Sequence, residues 1–154
     1  MNDKFDSYIK EISQEFKIDI CLIKAIIKTE SDFNMWAIRF EPNWNYFYKV
    51  AEFSEANKIT LATEKTLQAC SFGLMQIMGS VLREHGYKEP LLKSVTPNIN
   101  IYYGCKHLKR FICKYSKVED AISSYNAGYP KKDINGNYLN QAYVDRVIAS
   151  MNLF

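Results

Sequence analysis

Apolar residues recur at steps of three and four along most of this chain, and such stripes are buried by packing helix against helix. Phe5, Tyr8, Ile9, Ile12 and Phe16 mark a first stripe. Leu22, Ile23, Ile26 and Ile27 mark a second, with Asp19 placed to cap its helix. Ile101, Cys105, Leu108, Ile112 and Tyr115 follow Pro97, which suits a helix start, and predict a central buried helix. Val118, Ala121, Ile122 and Tyr125 run up to a helix-ending Gly128; Tyr143, Val144, Val147, Ile148 and Met151 make a last stripe. Ser80 is expected to cap a short helix that closes at His85-Gly86. The expectation is a mostly α fold, and 154 residues fit one compact domain spanning 1–154.

One segment breaks the pattern. Between about 31 and 70 the chain gathers Trp36, Phe40, Trp44, Tyr46, Phe47 and Tyr48, with short helices predicted at 46–57 and 63–69. A short β-ribbon within 36–65 stays open. The loop from Tyr129 to Asn140 is rich in Pro, Lys, Asp, Asn and Gly.

Composition removes several classes of function. The net charge of +3 is mild and the lysines are spread out, so no basic stripe for nucleic acid is present. Cys21, Cys70, Cys105 and Cys113 match no metal-ligand spacing, and His85 and His107 are the two histidines, so neither a metal site nor a cofactor is expected. The cysteines read as reduced, mostly buried small apolar residues. No apolar run is long enough to cross a bilayer. The start, Met1-Asn2-Asp3-Lys4-Phe5-Asp6, is polar and without a signal-peptide core, so synthesis in a cytoplasm is expected.

Glu30 carries the chemical interest. It lies four residues after Ile26 and three after Ile27, so it continues the apolar stripe instead of the solvated face. Desolvation there, and the negative end of the helix dipole, both favour its protonated form. A glutamic acid that keeps its proton near neutral pH suits glycosidic cleavage, where the leaving oxygen must be protonated. Periodicity alone equally allows Glu30 to bond backbone groups of the next turn or to point into water.

The neighbouring motifs weigh on that choice. Ala25-Ile26-Ile27-Lys28-Thr29-Glu30-Ser31-Asp32-Phe33-Asn34 resembles the Glu-Ser motif that ends the catalytic helix of SLT-type lytic transglycosylases, members of the lysozyme-like superfamily. Ser71-Phe72-Gly73-Leu74-Met75-Gln76-Ile77-Met78 resembles that family's Gly-Leu-Met-Gln motif. Ser124-Tyr125-Asn126-Ala127-Gly128 and Tyr143-Val144-Asp145-Arg146-Val147 resemble its Tyr-Asn-Ala-Gly motif and closing Tyr-Val segment, in the family's order. The resemblance implies a lysozyme-like helical fold acting on peptidoglycan glycan strands, with Glu30 as general acid and base; a monomer is expected. It further implies that Ser31 steadies the motif, Gly73 lets backbone approach the sugar, and Met75 and Gln76 line a groove. Tyr125 and Asn126 would contact or orient the glycan, and Tyr143 would lie near Glu30.

The chain departs from the family in the expanded aromatic-rich insertion that holds Arg39-Phe40-Glu41-Pro42-Asn43-Trp44, expected to extend one wall of the groove. It also supplies candidates for a second carboxylate, which a two-carboxylate hydrolase needs. Glu41 leads there, ahead of Asp32 and Glu64. Three readings follow: a lytic transglycosylase leaving 1,6-anhydro ends, a hydrolytic muramidase using Glu41, and a catalytically silent glycan-binding module. A wall-cutting enzyme without a signal fits a phage endolysin released through a holin, or delivery by a tail or secretion assembly.

Overall fold

The computed structural model describes residues 3–154, which form eight α-helices and a three-stranded sheet. Met1 and Asn2 of the polar start lie outside the described residues. The fold is mostly α, as the stripes require. Helix α1 (Asp6–Phe16) ends at Lys17 in a left-handed conformation. Asp19 caps α2 (Ile20–Ser31) by accepting from the Cys21 amide at 2.8 Å, and Ile23, Ile26 and Ile27 are fully buried.

The insertion begins with strand β1 (Ile38–Phe40), followed by α3 (Val50–Ala56) and α4 (Leu61–Gln68). Thr60 caps α4 through the Thr63 amide at 3.1 Å, so this helix starts two residues before the expected 63. The helix expected over 46–57 is shorter, because the chain is irregular through Tyr48 and turns left-handed at Lys49. Strand β1 pairs antiparallel with β2 (Cys70–Phe72), which pairs with β3 (Ile77–Met78). The ribbon thus reaches past 65 and engages the Gly-Leu-Met-Gln segment itself.

Helix α5 (Gly79–Glu84) corrects one expectation: Ser80 is not its cap. The residue lies inside the first turn, fully buried, and its hydroxyl meets the Trp44 indole at 3.0 Å. Helix α6 (Pro97–Lys114) begins at Pro97 and buries Ile101, Cys105, Leu108 and Phe111 at the centre, with Ile112 and Tyr115 only partly covered. Helix α7 (Val118–Ala127) closes at Gly128, whose φ of 82° needs no side chain. Helix α8 (Gln141–Met151) packs along α2.

All four cysteines are free thiols; Cys70 and Cys105 are buried, Cys21 is half-buried, and Cys113, contrary to expectation, is exposed. No helix of the described residues is long and apolar enough to cross a membrane.

An ion pair fixes the insertion from within. Glu64 and Arg83 are both fully buried, joined by Nε–Oε1 at 2.8 Å and an Nη2–Oε2 bond at 3.1 Å. The other guanidinium nitrogen donates to the Tyr87 and Glu89 carbonyls, so the charge is well satisfied. Gln68 donates to Glu64 at 2.9 Å and exchanges two bonds with the Tyr48 backbone, which ties down the segment before α3.

Candidate active site

The site grows from the C-terminal turn of α2. Asp32 and Phe33 adopt left-handed conformations, which stop the helix and leave Glu30 in its last turn. Asp32 pairs with Lys28 on the exposed side. Glu30 is half-buried, and the Tyr143 hydroxyl of α8 donates to its Oε1 at 2.6 Å. Burial pushes the Glu30 carboxyl above its usual range; the Tyr143 bond and the cations Arg39 and Arg146 pull the other way without cancelling it.

The turn between β2 and β3 is held by three side chains from three helices. The Ser31 hydroxyl reaches the Leu74 carbonyl at 2.8 Å and the Ile27 carbonyl at 3.2 Å. Tyr125 of α7 donates to the Met75 carbonyl at 2.8 Å. Asn100 of α6 accepts from the Met75 amide at 2.8 Å and donates to the Phe72 and Ser94 carbonyls. Gly73 has a φ of +71°, and a Cβ there would sit 2.5 Å from the Asn100 amide nitrogen. Its glycine is therefore demanded by protein packing.

A groove of about 590 Å³ opens beside Glu30. Its walls come from the insertion (Arg39, Glu41, Trp44, Tyr46), the sheet, α6 and the end of α7. The Trp44 indole donates to the Tyr46 carbonyl at 2.6 Å as well as to Ser80, which holds its ring edge-on to Tyr46. Trp44 and Tyr46 thus extend the wall, whereas Trp36 and Phe40 are exposed outside it and Tyr48 packs near Phe53.

The residues expected at the site divide by direction. Glu30, Gln76, Tyr125 and Asn126 line the groove, and Tyr143 reaches it through Glu30. The Met75 side chain is fully buried and packs over Gly104, where a Cβ would meet its sulfur at 2.3 Å; it fills the core and does not line the groove. Gln76 spends its amide internally: Nε2 donates to the Ala37 and Gly73 carbonyls, and Oε1 accepts from Ser71. Asn126 is exposed and accepts from Asn140 at 3.0 Å.

Of the candidate second carboxylates, Glu64 is enclosed with Arg83 away from the groove and Asp32 is outside it. Glu41 does line the groove, with Arg39 Nε at 2.5 Å from its Oε1. Sequence reasoning missed Arg39, although the alternation Ile38-Arg39-Phe40-Glu41 carries the period of a strand and puts Arg39 and Glu41 on one face. His107 was also missed: its ring lies on the groove wall 5.5 Å from Tyr125, and burial and neighbouring charges push its pKa down to about 3. No group of three or more His, Cys, Asp or Glu among the described residues is arranged to hold a metal ion.

The mostly helical fold sets a half-buried glutamic acid at the end of α2 beside a groove, and the comparison with known families bears on that arrangement. The model of the transglycosylase SLT domain matches residues 7–143, and the chain belongs to that family. Protein IpgF of Shigella sonnei and Protein IpgF of Shigella flexneri are each 28% identical to it over 120 residues. The match covers 77% of this chain and 64% of each relative, just under two thirds of their length. No solved structure matches the chain.

Proposed function

We propose that residues 1–154 act as one catalytic domain that cleaves the β-1,4 bond between N-acetylmuramic acid and N-acetylglucosamine in peptidoglycan by lytic transglycosylation. The observation that carries this reading is the half-buried Glu30, raised in pKa and oriented by Tyr143 at the floor of the groove. Glu30 starts protonated and gives its proton to the glycosidic oxygen as the bond from the muramyl C1 breaks. The N-acetyl carbonyl of the same sugar closes on C1 and takes up the positive charge. Glu30, now a carboxylate, accepts the proton of the sugar's 6-hydroxyl as that oxygen attacks C1 and forms the 1,6-anhydro ring. One carboxylate serves both steps, and no water enters.

Engagement of Glu41 with Arg39 favours this route over a two-carboxylate hydrolase. Retention of Glu30 favours an enzyme over a silent glycan-binding module. The test is Glu30→Gln on purified peptidoglycan, with products read by mass spectrometry. The variant keeps an oxygen to accept from Tyr143 but has no acidic proton, so turnover should fall by about 100-fold or more. Near-normal turnover would sink the reading. Reducing ends in the wild-type products, in place of anhydro ends, would assign a hydrolytic muramidase.

A further inference from the structure

The groove wall supplied by the insertion carries an ion pair, Arg39 with Glu41, in the same groove as Glu30. Strand β1 fixes the placement. Arg39 stands opposite Ser71 in the register, Ser71 bonds Gln76, and Gln76 bonds the Ala37 carbonyl, so the start of β1 is clamped to the turn that also holds Ser31. Period two then puts Glu41 on the same face, with its backbone amide bonded to the Ala69 carbonyl at 2.9 Å. Arg39 Nε meets Glu41 Oε1, and the Arg39 side chain is 68% exposed along the groove.

We infer that Glu41 is the anchor of Arg39, and that the anchored guanidinium is an electrostatic positioning group for Glu30; Glu41 is not a second reacting carboxylate. This rests on the assignment of Glu30 as the acid. The charged and titratable groups around Glu30 are Tyr143 and Arg146 from α8, Tyr125 from α7, and Arg39 from β1 with Glu41 beside it. Arg39 is the cation among them whose distance is set by the insertion. Its charge favours the ionised carboxylate, which limits how far burial can raise the proton affinity and eases the change of Glu30 from acid to base.

The pair makes opposite demands on two variants. Activity falls on the alkaline side as Glu30 loses its proton, so the alkaline limb of the rate profile reports Glu30. Arg39→Gln removes the cation and frees the Glu41 anion, and the limb should move up by about half a pH unit. Glu41→Gln leaves the cation uncompensated, and the limb should move down by a similar amount, with turnover reduced about 3- to 10-fold. Both shifts should shrink in about 1 M salt. Arg39→Lys keeps the charge and should restore most of the limb position, which a purely structural role for the side chain would not do. Folding is checked by circular dichroism, and exposure of Arg39 makes collapse unexpected. Loss of turnover by orders of magnitude in Glu41→Gln would overturn the inference in favour of a reacting carboxylate. Limbs that stay put in both variants, or move the same way, would overturn it too. Glu30→Gln run in parallel separates the failures: if it stays active the acid assignment falls and this inference with it, and if it is dead while the limbs stay put only the inference falls.

Discussion

The Tyr143 hydroxyl donates to Glu30 Oε1 at 2.6 Å, across 113 residues of chain. This bond stabilises the carboxylate form and fixes the rotamer of a side chain at a frayable helix end. Tyr143→Phe keeps the buried ring and deletes the donor. Loss of a bond to the charged form raises the Glu30 pKa further, so the alkaline limb should move to higher pH. Turnover on peptidoglycan should fall about 10-fold through lost orientation. A pH–rate profile checks both effects together.

Burial of Glu30 also predicts how stability depends on pH. Its folded pKa lies above the ordinary 4.5, so its contribution to stability is fully present below that value and is lost as pH rises through the folded pKa. Glu30→Gln cannot ionise and escapes this loss. Thermal melts should therefore find the variant more stable than wild type near pH 8, with the gain shrinking towards zero below 4.5. An equal gain at both pH values would attribute the effect to packing instead.

Gly73→Ala tests the turn. The new Cβ would meet Asn100 at 2.5 Å, in a backbone conformation that side chains disfavour. A cost of about 2–4 kcal/mol is expected in urea unfolding. Activity should fall even where the protein is still folded, because Asn100 also holds the Met75 amide.

Arg83→Met tests the buried ion pair. Removing the guanidinium leaves Glu64 enclosed without its cation, at a cost of about 3–5 kcal/mol. Gln68 shares the same carboxylate and secures Tyr48, so the insertion should loosen. Trp44 fluorescence should then become easier to quench from solvent, before global unfolding.

Helix content, the Asp19 cap, the Pro97 start and the Gly128 stop were legible because each is set within a few residues of chain. Glu30 was legible for the same reason: its place on a stripe is a local property. Motif identity did not reveal direction. Met75 and Gln76 sit side by side in one motif, yet the first points into the core and the second closes a turn, since Gly104 and Asn100 of a distant helix decide the fit. Glu64 and Arg83 are ordinary surface residue types in the sequence, and only tertiary closure makes them a buried pair. Strand β1 lies within the ribbon left open over 36–65, but three residues give too short an alternation to set its bounds.

The bonds that assemble the site join Ser31 to Leu74, Tyr125 to Met75 and Tyr143 to Glu30, and each spans at least 43 residues. None is available to an isolated helix or hairpin. During synthesis Glu30 emerges 113 residues ahead of its partner, and the bond can form only after Tyr143 has left the ribosome. Assembly of this site is therefore a late and collective event, so an assay of the proposed activity would double as a sensitive gauge of whether the entire fold has closed.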